Sequence, residues 1–174
     1  MKTLLNSSRA QTRKVLDRPS LIAAVERAKA EGKTVVTTNG CFDILHVGHV
    51  RYLQEARALG DMLVVGVNSD STVRKLKGPE RPVVPEHERV EILAALECVD
   101  YVTVFPEDTP VELILAIKPN VHVKGGDYRP GELIEAPAVR SVGGRVEVVN
   151  FTSTATEGRS TTNLIGKIVK NHRG

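Results

Sequence analysis

Residues 34–49 read TVVTTNGCFDILHVGH, and the fold is decided there. Residues 34–38 are β-branched without interruption, the composition of a short strand buried in a sheet. Asn39-Gly40 then breaks the run, small and polar residues follow, and a helix is predicted from near residue 48 to 59, ending at Gly60. A strand, a glycine-bearing loop and a helix start in this order form the first half of a βαβ unit. The free backbone N–H groups and positive dipole end of such a helix suit a phosphate, although many strand-to-helix turns need glycine for geometry alone.

The same alternation extends outward. Upstream, Leu21, Ile22, Val25 and Ala28 recur at helical spacing after Pro19-Ser20, and Gly32 follows as a stop. Downstream, strands are predicted at 62–67 (MLVVGV), 101–105 (YVTVF), 121–124 (VHVK) and 145–151 (RVEVVNF). Helices are predicted at 86–97, from a Thr109 cap with Pro110 in the first turn to just before Pro119, near 131–141, and at about 161–170. Five short apolar strands alternating with helices give an α/β fold with right-handed crossovers, a Rossmann-like doubly wound parallel sheet whose usual, and expected, order is 3-2-1-4-5. In that order strands one and four meet at the switch point, where ligands bind beyond the carboxyl ends of the strands. The loops that open there are TNGCFDILHVGH (38–49) and KGGDYRPG (124–131), the two most unusual in the chain.

The 174 residues suffice for a single domain with a real core. Residues 1–18 carry five basic side chains and no apolar period, which predicts an N-terminal arm, mobile or loosely docked, ahead of a domain at 19–174. Aromatic residues make up 3% and tryptophan is absent, which argues against a base-stacking surface. A net charge of +3 is too mild to indicate nucleic acid but suits small anionic substrates. Two cysteines, Cys41 and Cys98, make no disulfide framework, no signal-peptide core opens the chain, and no run approaches the ~20 apolar residues of a membrane span. A cytoplasmic setting is expected, with no membrane partner.

The histidines His46 and His49, three apart across Gly48, admit three readings. One imidazole caps the helix while the other packs; or Cys41, Asp43, His46 and His49 gather around zinc; or both imidazoles face an anion and stabilise charge growing on a phosphoryl group. Against zinc, four ligands within nine residues must share space with a helix start, and no second cluster supports them. The loop is neither a Walker A motif nor GxGxxG. Cys41 has no evident base to make it a nucleophile, and Cys98, at a helix end, reads as core. Arg74, Lys75, Lys77 and Arg81 flank a Gly-Pro turn, as a solvated loop or a mobile clamp on phosphate. Arg89 suits a bidentate contact to phosphate, or a pair with Glu86 or Glu88. Asp43 and Asp127 are either turn residues or ligand contacts.

HVGH after a strand ending in TNGCFD resembles the signature of the HxGH nucleotidyltransferase (cytidylyltransferase-like) superfamily. EGRSTTN (157–163) looks like its second signature, at the start of the last helix. With VNSD, LKGPERPV (76–83), ECVDYV, EDTP and VKGGDY (123–128), the chain is similar over roughly residues 33–170 to the adenylyltransferases of ADP-heptose synthesis. The resemblance implies transfer of AMP from ATP to D-glycero-β-D-manno-heptose 1-phosphate, with Mg²⁺ carried by the triphosphate rather than held by protein ligands. It also implies a homodimer, and a stand-alone form of an activity that some bacteria fuse to a sugar kinase.

On the same footing, His46, His49 and Lys77 become the catalytic group. Thr38, Asn39, Gly40, Cys41, Phe42, Gly48, Gly125, Asp127, Ser160, Thr161 and Thr162 become nucleotide contacts, together with the two histidines. Asp43, Lys75 and Arg89 become contacts to the sugar phosphate. The chain departs from the cytidylyltransferase form of the second signature, Arg-Thr-x-Gly-Ile-Ser-Thr-Thr, at two places: Ala155 stands for the arginine and Arg159 for the isoleucine. Alanine cannot replace a planar multi-donor cation, which disfavours CTP and favours ATP, with Arg159 available to restore a phosphate contact. A cytidylyltransferase for glycerol or ethanolamine phosphate, and a non-catalytic nucleotide-binding module, are the competing expectations.

Overall fold

The structure is a computed structural model and describes residues 13–126, 132–149 and 161–171. The elements run α1 (Arg18–Ala30), β1 (Val35–Gly40), α2 (Val47–Arg57), β2 (Met62–Asn68), α3 (Asp70–Lys77), α4 (Glu86–Ala94), β3 (Tyr101–Phe105), α5 (Val111–Ile117), β4 (Val121–Gly125), α6 (Ala136–Ser141), β5 (Arg145–Val149) and α7 (Thr161–Asn171). The five strands form one sheet in the order β3-β2-β1-β4-β5, parallel throughout, as the alternation predicts.

Central strands of a parallel sheet are covered on both faces and therefore read as continuous apolar runs. All seven residues of β2 are buried, and β1 is buried over its first four. One core layer joins Val36, Leu63 and Val65 to Leu53, Ala56, Val90 and Leu93 beneath α2 and α4. The opposite layer joins Val35, Val64 and Phe105 to Leu21, Val25, Leu113 and Ile117 beneath α1 and α5. Gly60, after α2, is needed for close approach: a Cβ there would lie 2.7 Å from the Thr34 carbonyl oxygen and 2.6 Å from a Val36 methyl.

Several local expectations are corrected. The basic stretch before Gly78 is not a loop, because residues 70–77 form α3, which Gly78 ends at φ 101°. Its signals are legible in retrospect. Ser69 caps Thr72 N–H at 3.3 Å, Asp70 sits in the first turn, and Arg74, Lys75 and Lys77 sit in the last, complementing the dipole. Eight residues with few apolar positions gave no periodic pattern to detect. The Thr109 cap does not form, since Pro110 takes the N-cap position without a side-chain hydrogen bond. Residues 132–135 precede α6 rather than belonging to it, and α4 ends at Ala94.

Residues 13–17, assigned by sequence to the arm, dock at the β3 edge. Val102 N–H donates to Lys14 O at 2.8 Å, and Leu16 N–H donates to Val102 O at 2.9 Å. The Lys14 ammonium caps the carbonyls of Leu96 and Val99, at 3.1 and 2.7 Å. The rest of the arm, 1–12, lies outside the described residues. Among those described, no helix is long and apolar enough to cross a membrane.

Candidate functional site at the sheet switch point

β1 pairs with both β2 and β4, so the crevice between β1 and β4 is the switch point. The side chains at its rim touch: Lys124 Nζ donates to Asn39 Oδ1 at 3.0 Å. From Gly40 the chain turns at Phe42, a non-glycine residue at φ 47°, an uncommon backbone state for a bulky side chain. The Phe42 ring is 6% exposed, lies within 3.1 Å of where a Gly40 Cβ would stand, and meets the His49 ring edge-on at 5.5 Å. Burial of that ring holds the loop under the start of α2.

The two histidines close that helix start reciprocally. His46 is the N-cap, and its Nδ1 accepts from Gly48 N–H at 3.2 Å; His49 Nδ1 accepts from His46 N–H at 3.4 Å. Imidazoles here take the parts usually played by serine and glutamate in a capping box. A neutral imidazole has one N–H, so an accepting Nδ1 puts the proton on Nε2 in both rings. The ring centroids are 4.0 Å apart. Burial, with a smaller contribution from the adjacent His46 ring, lowers the His49 pKa to about 4, so at neutral pH it is an uncharged donor. The bland reading and the phosphate reading are therefore compatible: the Nδ1 atoms cap the helix while the Nε2–H groups remain the donors.

Other predicted contacts have different work. Asp43 is 2% exposed; its Oδ1 accepts from the amides of Val83 and Val84, each at 2.8 Å, and its Oδ2 from Arg81 Nε. Burial raises its carboxyl pKa, but the two amides and the guanidinium outweigh that and leave it below the usual value. Asp43 is thus a staple between the site loop and residues 81–84. Arg89, 1% exposed, donates to Cys41 O, Asn68 O and Asp70 Oδ1, and pairs with neither Glu86 nor Glu88. Its guanidinium ties the site loop to β2 and α3.

Thr38 is likewise internal: its hydroxyl meets the Tyr52 hydroxyl at 2.5 Å, and Tyr52 donates to Val123 O at 2.9 Å. Lys75 pairs with Asp108 at 2.9 Å, both two-thirds exposed. Burial raises the Cys41 thiol pKa despite the nearby Lys77, Arg89 and Arg81 charges, which leaves it a neutral thiol. That interaction also sets Lys77, the last residue of α3, beside the site loop. Cys98 packs against the core, its thiol likewise raised by burial. Gly125 ends β4, Thr161 opens α7 and its hydroxyl reaches Ile44 O at 3.5 Å, and Thr162 is exposed. Asp127, Ala155, Arg159 and Ser160 lie outside the described residues. Among the described residues no group of three His, Cys, Asp or Glu side chains could hold a metal ion.

Tyr52, Lys124 and Glu135 escaped the sequence reading, and Arg81, grouped there with the basic residues around the Gly-Pro turn, pairs with Asp43. Lys124 alone carried a signal, lying in VKGGDY beside a predicted switch-point glycine.

A doubly wound sheet with an HxGH helix cap at its switch point defines a nucleotidyltransferase site, and the chain belongs to the cytidylyltransferase-like family, whose model matches residues 37–167. It is 54% identical over 159 residues to the bifunctional protein HldE of Pelobacter propionicus, covering 91% of this chain and 32% of that one. It is 56% identical over 156 residues to HldE of Syntrophotalea carbinolica, covering 90% and 31%. The chain thus spans about a third of the length of the curated relatives it matches. Among solved structures it is similar to a lipopolysaccharide core biosynthesis protein from Thermoplasma volcanium, at 33% identity and TM-score 0.57, covering 68% of this chain and 96% of that one. Pantothenate synthetase from Thermus thermophilus, at 18% identity and TM-score 0.53, shares the fold.

Proposed function

We propose that this chain transfers AMP from ATP to D-glycero-β-D-manno-heptose 1-phosphate, releasing pyrophosphate and forming the ADP-heptose used in lipopolysaccharide synthesis. The observation that carries the reading is the reciprocal imidazole cap, with both Nδ1 atoms engaged and both protons on Nε2 at a helix start beside the switch point. Support for the acceptor comes from the HldE relatives, the lipopolysaccharide core neighbour and the run of motifs from NGCFD to STTN.

The sugar phosphate is already anionic near neutrality, its second pKa being ~6, so it attacks without a general base. Its oxygen forms a bond to the α-phosphorus while the bond to the bridging oxygen of pyrophosphate breaks, and pyrophosphate leaves with the electron pair. The enzyme must relieve repulsion between two anions, align them and stabilise the crowded phosphorus. Neutral Nε2–H donors suit that work, because they hydrogen-bond growing negative charge and the N–H of a neutral imidazole is too weak an acid to be given up. Lys77 and the start of α7 would face the β- and γ-phosphates. Magnesium would arrive with the triphosphate and neutralise part of its charge.

Nucleotide choice tests the reading. ATP is expected to exceed CTP in kcat/KM by at least ~10-fold, about 1.4 kcal/mol of discrimination. A matrix of triphosphates against sugar and polyol phosphates, followed by pyrophosphate release, measures it. Preference for CTP, or turnover of glycerol 3-phosphate but not the heptose phosphate, would replace this reading with the cytidylyltransferase one. Nucleotide binding without pyrophosphate release would leave only a binding module.

Lys77 gives a second check. Lys77→Ala removes an exposed charge at the end of α3, so the melting temperature should hold. The catalytic efficiency should fall by about 10- to 100-fold, the worth of one hydrogen bond to a charged group. Unchanged activity would reduce Lys77 to a dipole-complementing helix residue.

A further inference from the structure

Beside the histidines, a second polar assembly joins β1, β4 and the start of α6. Side chains two apart on a strand share a face, so His122 and Lys124 lie on one side of β4, as Thr37 and Asn39 do on β1. Thr37 and His122 are register partners, and Asn39 and Lys124 stand two residues further along their strands. The first pair is internal: Thr37 Oγ1 meets His122 Nδ1 at 2.8 Å, with the two residues 4% and 1% exposed. The second pair, Lys124 Nζ to Asn39 Oδ1 at 3.0 Å, opens toward the crevice. One carboxylate anchors both. Glu135 Oε1 lies 2.8 Å from Lys124 Nζ and 3.6 Å from His122 Nε2, although Glu135 is 2% exposed.

Burying the Glu135 carboxylate costs more than packing an apolar group of the same shape, so stability alone does not account for its place beneath the partly exposed Lys124. What the pair does achieve is geometric. With its oxygen taken by Lys124, the Asn39 amide has only its Nδ2–H₂ donors left to offer, and these have no partner among the described residues. Asn39 sits one residue before the turn that leads to the histidine cap.

We propose that Lys124 and Glu135 are positioning residues for the transfer: Glu135 holds the Lys124 ammonium, which fixes Asn39 Oδ1 so that the Asn39 amide nitrogen donates to the anionic substrate at the switch point. The inference rests on the nucleotidyl-transfer reading for its kinetic consequences, but its geometric content stands apart from that reading.

The test uses four variants of the full chain: Asn39→Ala, Lys124→Met, Lys124→Met/Asn39→Ala and Lys124→Met/Glu135→Gln. Lys124→Met should lower kcat/KM by at least ~10-fold, the loss expected when a donor to a charged group is misplaced. If Lys124 acts through Asn39, adding Lys124→Met to Asn39→Ala should cost little more than Asn39→Ala alone. Losses that multiply would overturn the proposal by giving Lys124 a direct contact of its own, as would wild-type kinetics in Lys124→Met.

Lys124→Met alone strands a buried carboxylate and will lower the melting temperature, whereas Lys124→Met/Glu135→Gln removes both charges and should recover it. Activity must stay low in that recovered double variant. Activity returning with stability would make the pair purely structural and overturn the inference. An independent readout needs no turnover. The Asn39 side-chain amide should give one well-resolved pair of ¹⁵N-correlated proton signals in the wild type, shifted toward solvent-exposed values in Lys124→Met. No shift would overturn the geometric claim even in an active enzyme, and a clear shift in a protein that releases no pyrophosphate would retain it while the functional reading fell.

Discussion

Replacing His49 by alanine is expected to lower turnover by at least ~10²-fold, the usual cost of removing a preorganised donor to transition-state charge. His49 is a neutral Nε2–H donor at working pH, with a pKa of about 4 set by burial and by His46, and its Nδ1 is fixed by the His46 amide. The variant loses one arm of the capping box as well, and a lost cap is worth about 0.5–2 kcal/mol, too little to unfold the protein. Kinetics and a melting curve on the same preparation separate the two effects. A slow variant that melts within a few degrees of the wild type supports the role. Near-normal turnover with an unchanged melting curve would remove His49 from the catalytic group.

Arg89→Ala should produce the largest loss of stability of any substitution considered, at least ~3 kcal/mol, because it strands Asp70 and uncaps the part-buried carbonyl of Cys41 and the buried carbonyl of Asn68 together. Denaturant unfolding should show a lower midpoint at unchanged slope. Arg89→Lys should recover little of it, since one ammonium cannot span three acceptors as a planar guanidinium does. Had Arg89 been a phosphate contact, its removal would damage activity and leave stability nearly intact. A stability change below about 1 kcal/mol would restore that reading. Activity should fall in Arg89→Ala too, through Cys41, because the guanidinium holds the carbonyl of the loop that leads into Phe42 and the histidine cap.

What the residues by themselves determined was everything governed by local pattern. The apolar runs of β1 and β2, the helical spacing of Leu21, Val25 and Ala28, and the rule that alternating strands and helices wind into a parallel sheet lead to a doubly wound fold, whose usual order 3-2-1-4-5 is the one observed. The order in turn places residues 38–49 and 124–126 at one crevice. His46 and His49 were legible because i and i+3 at a helix start face the same way, and no distant residue is needed to bring them together.

Tertiary structure decided which charged side chains are spent internally. Nothing local distinguishes Asp43, Arg89 or Glu135 from ligand contacts, since each is a charged residue with no sequence neighbour that marks it as internal. Their partners lie far along the chain: Asp43 meets Arg81 and the amides of Val83 and Val84, Arg89 meets Cys41, Asn68 and Asp70, and Glu135 meets His122 and Lys124. A charge taken from water must find such partners, and only the packing of the sheet against its helices reveals which do. The Nδ1 atoms of His46 and His49 find their partners in backbone amides of the same helix start, while Asp43 and Arg89 find theirs in residues distant in the sequence.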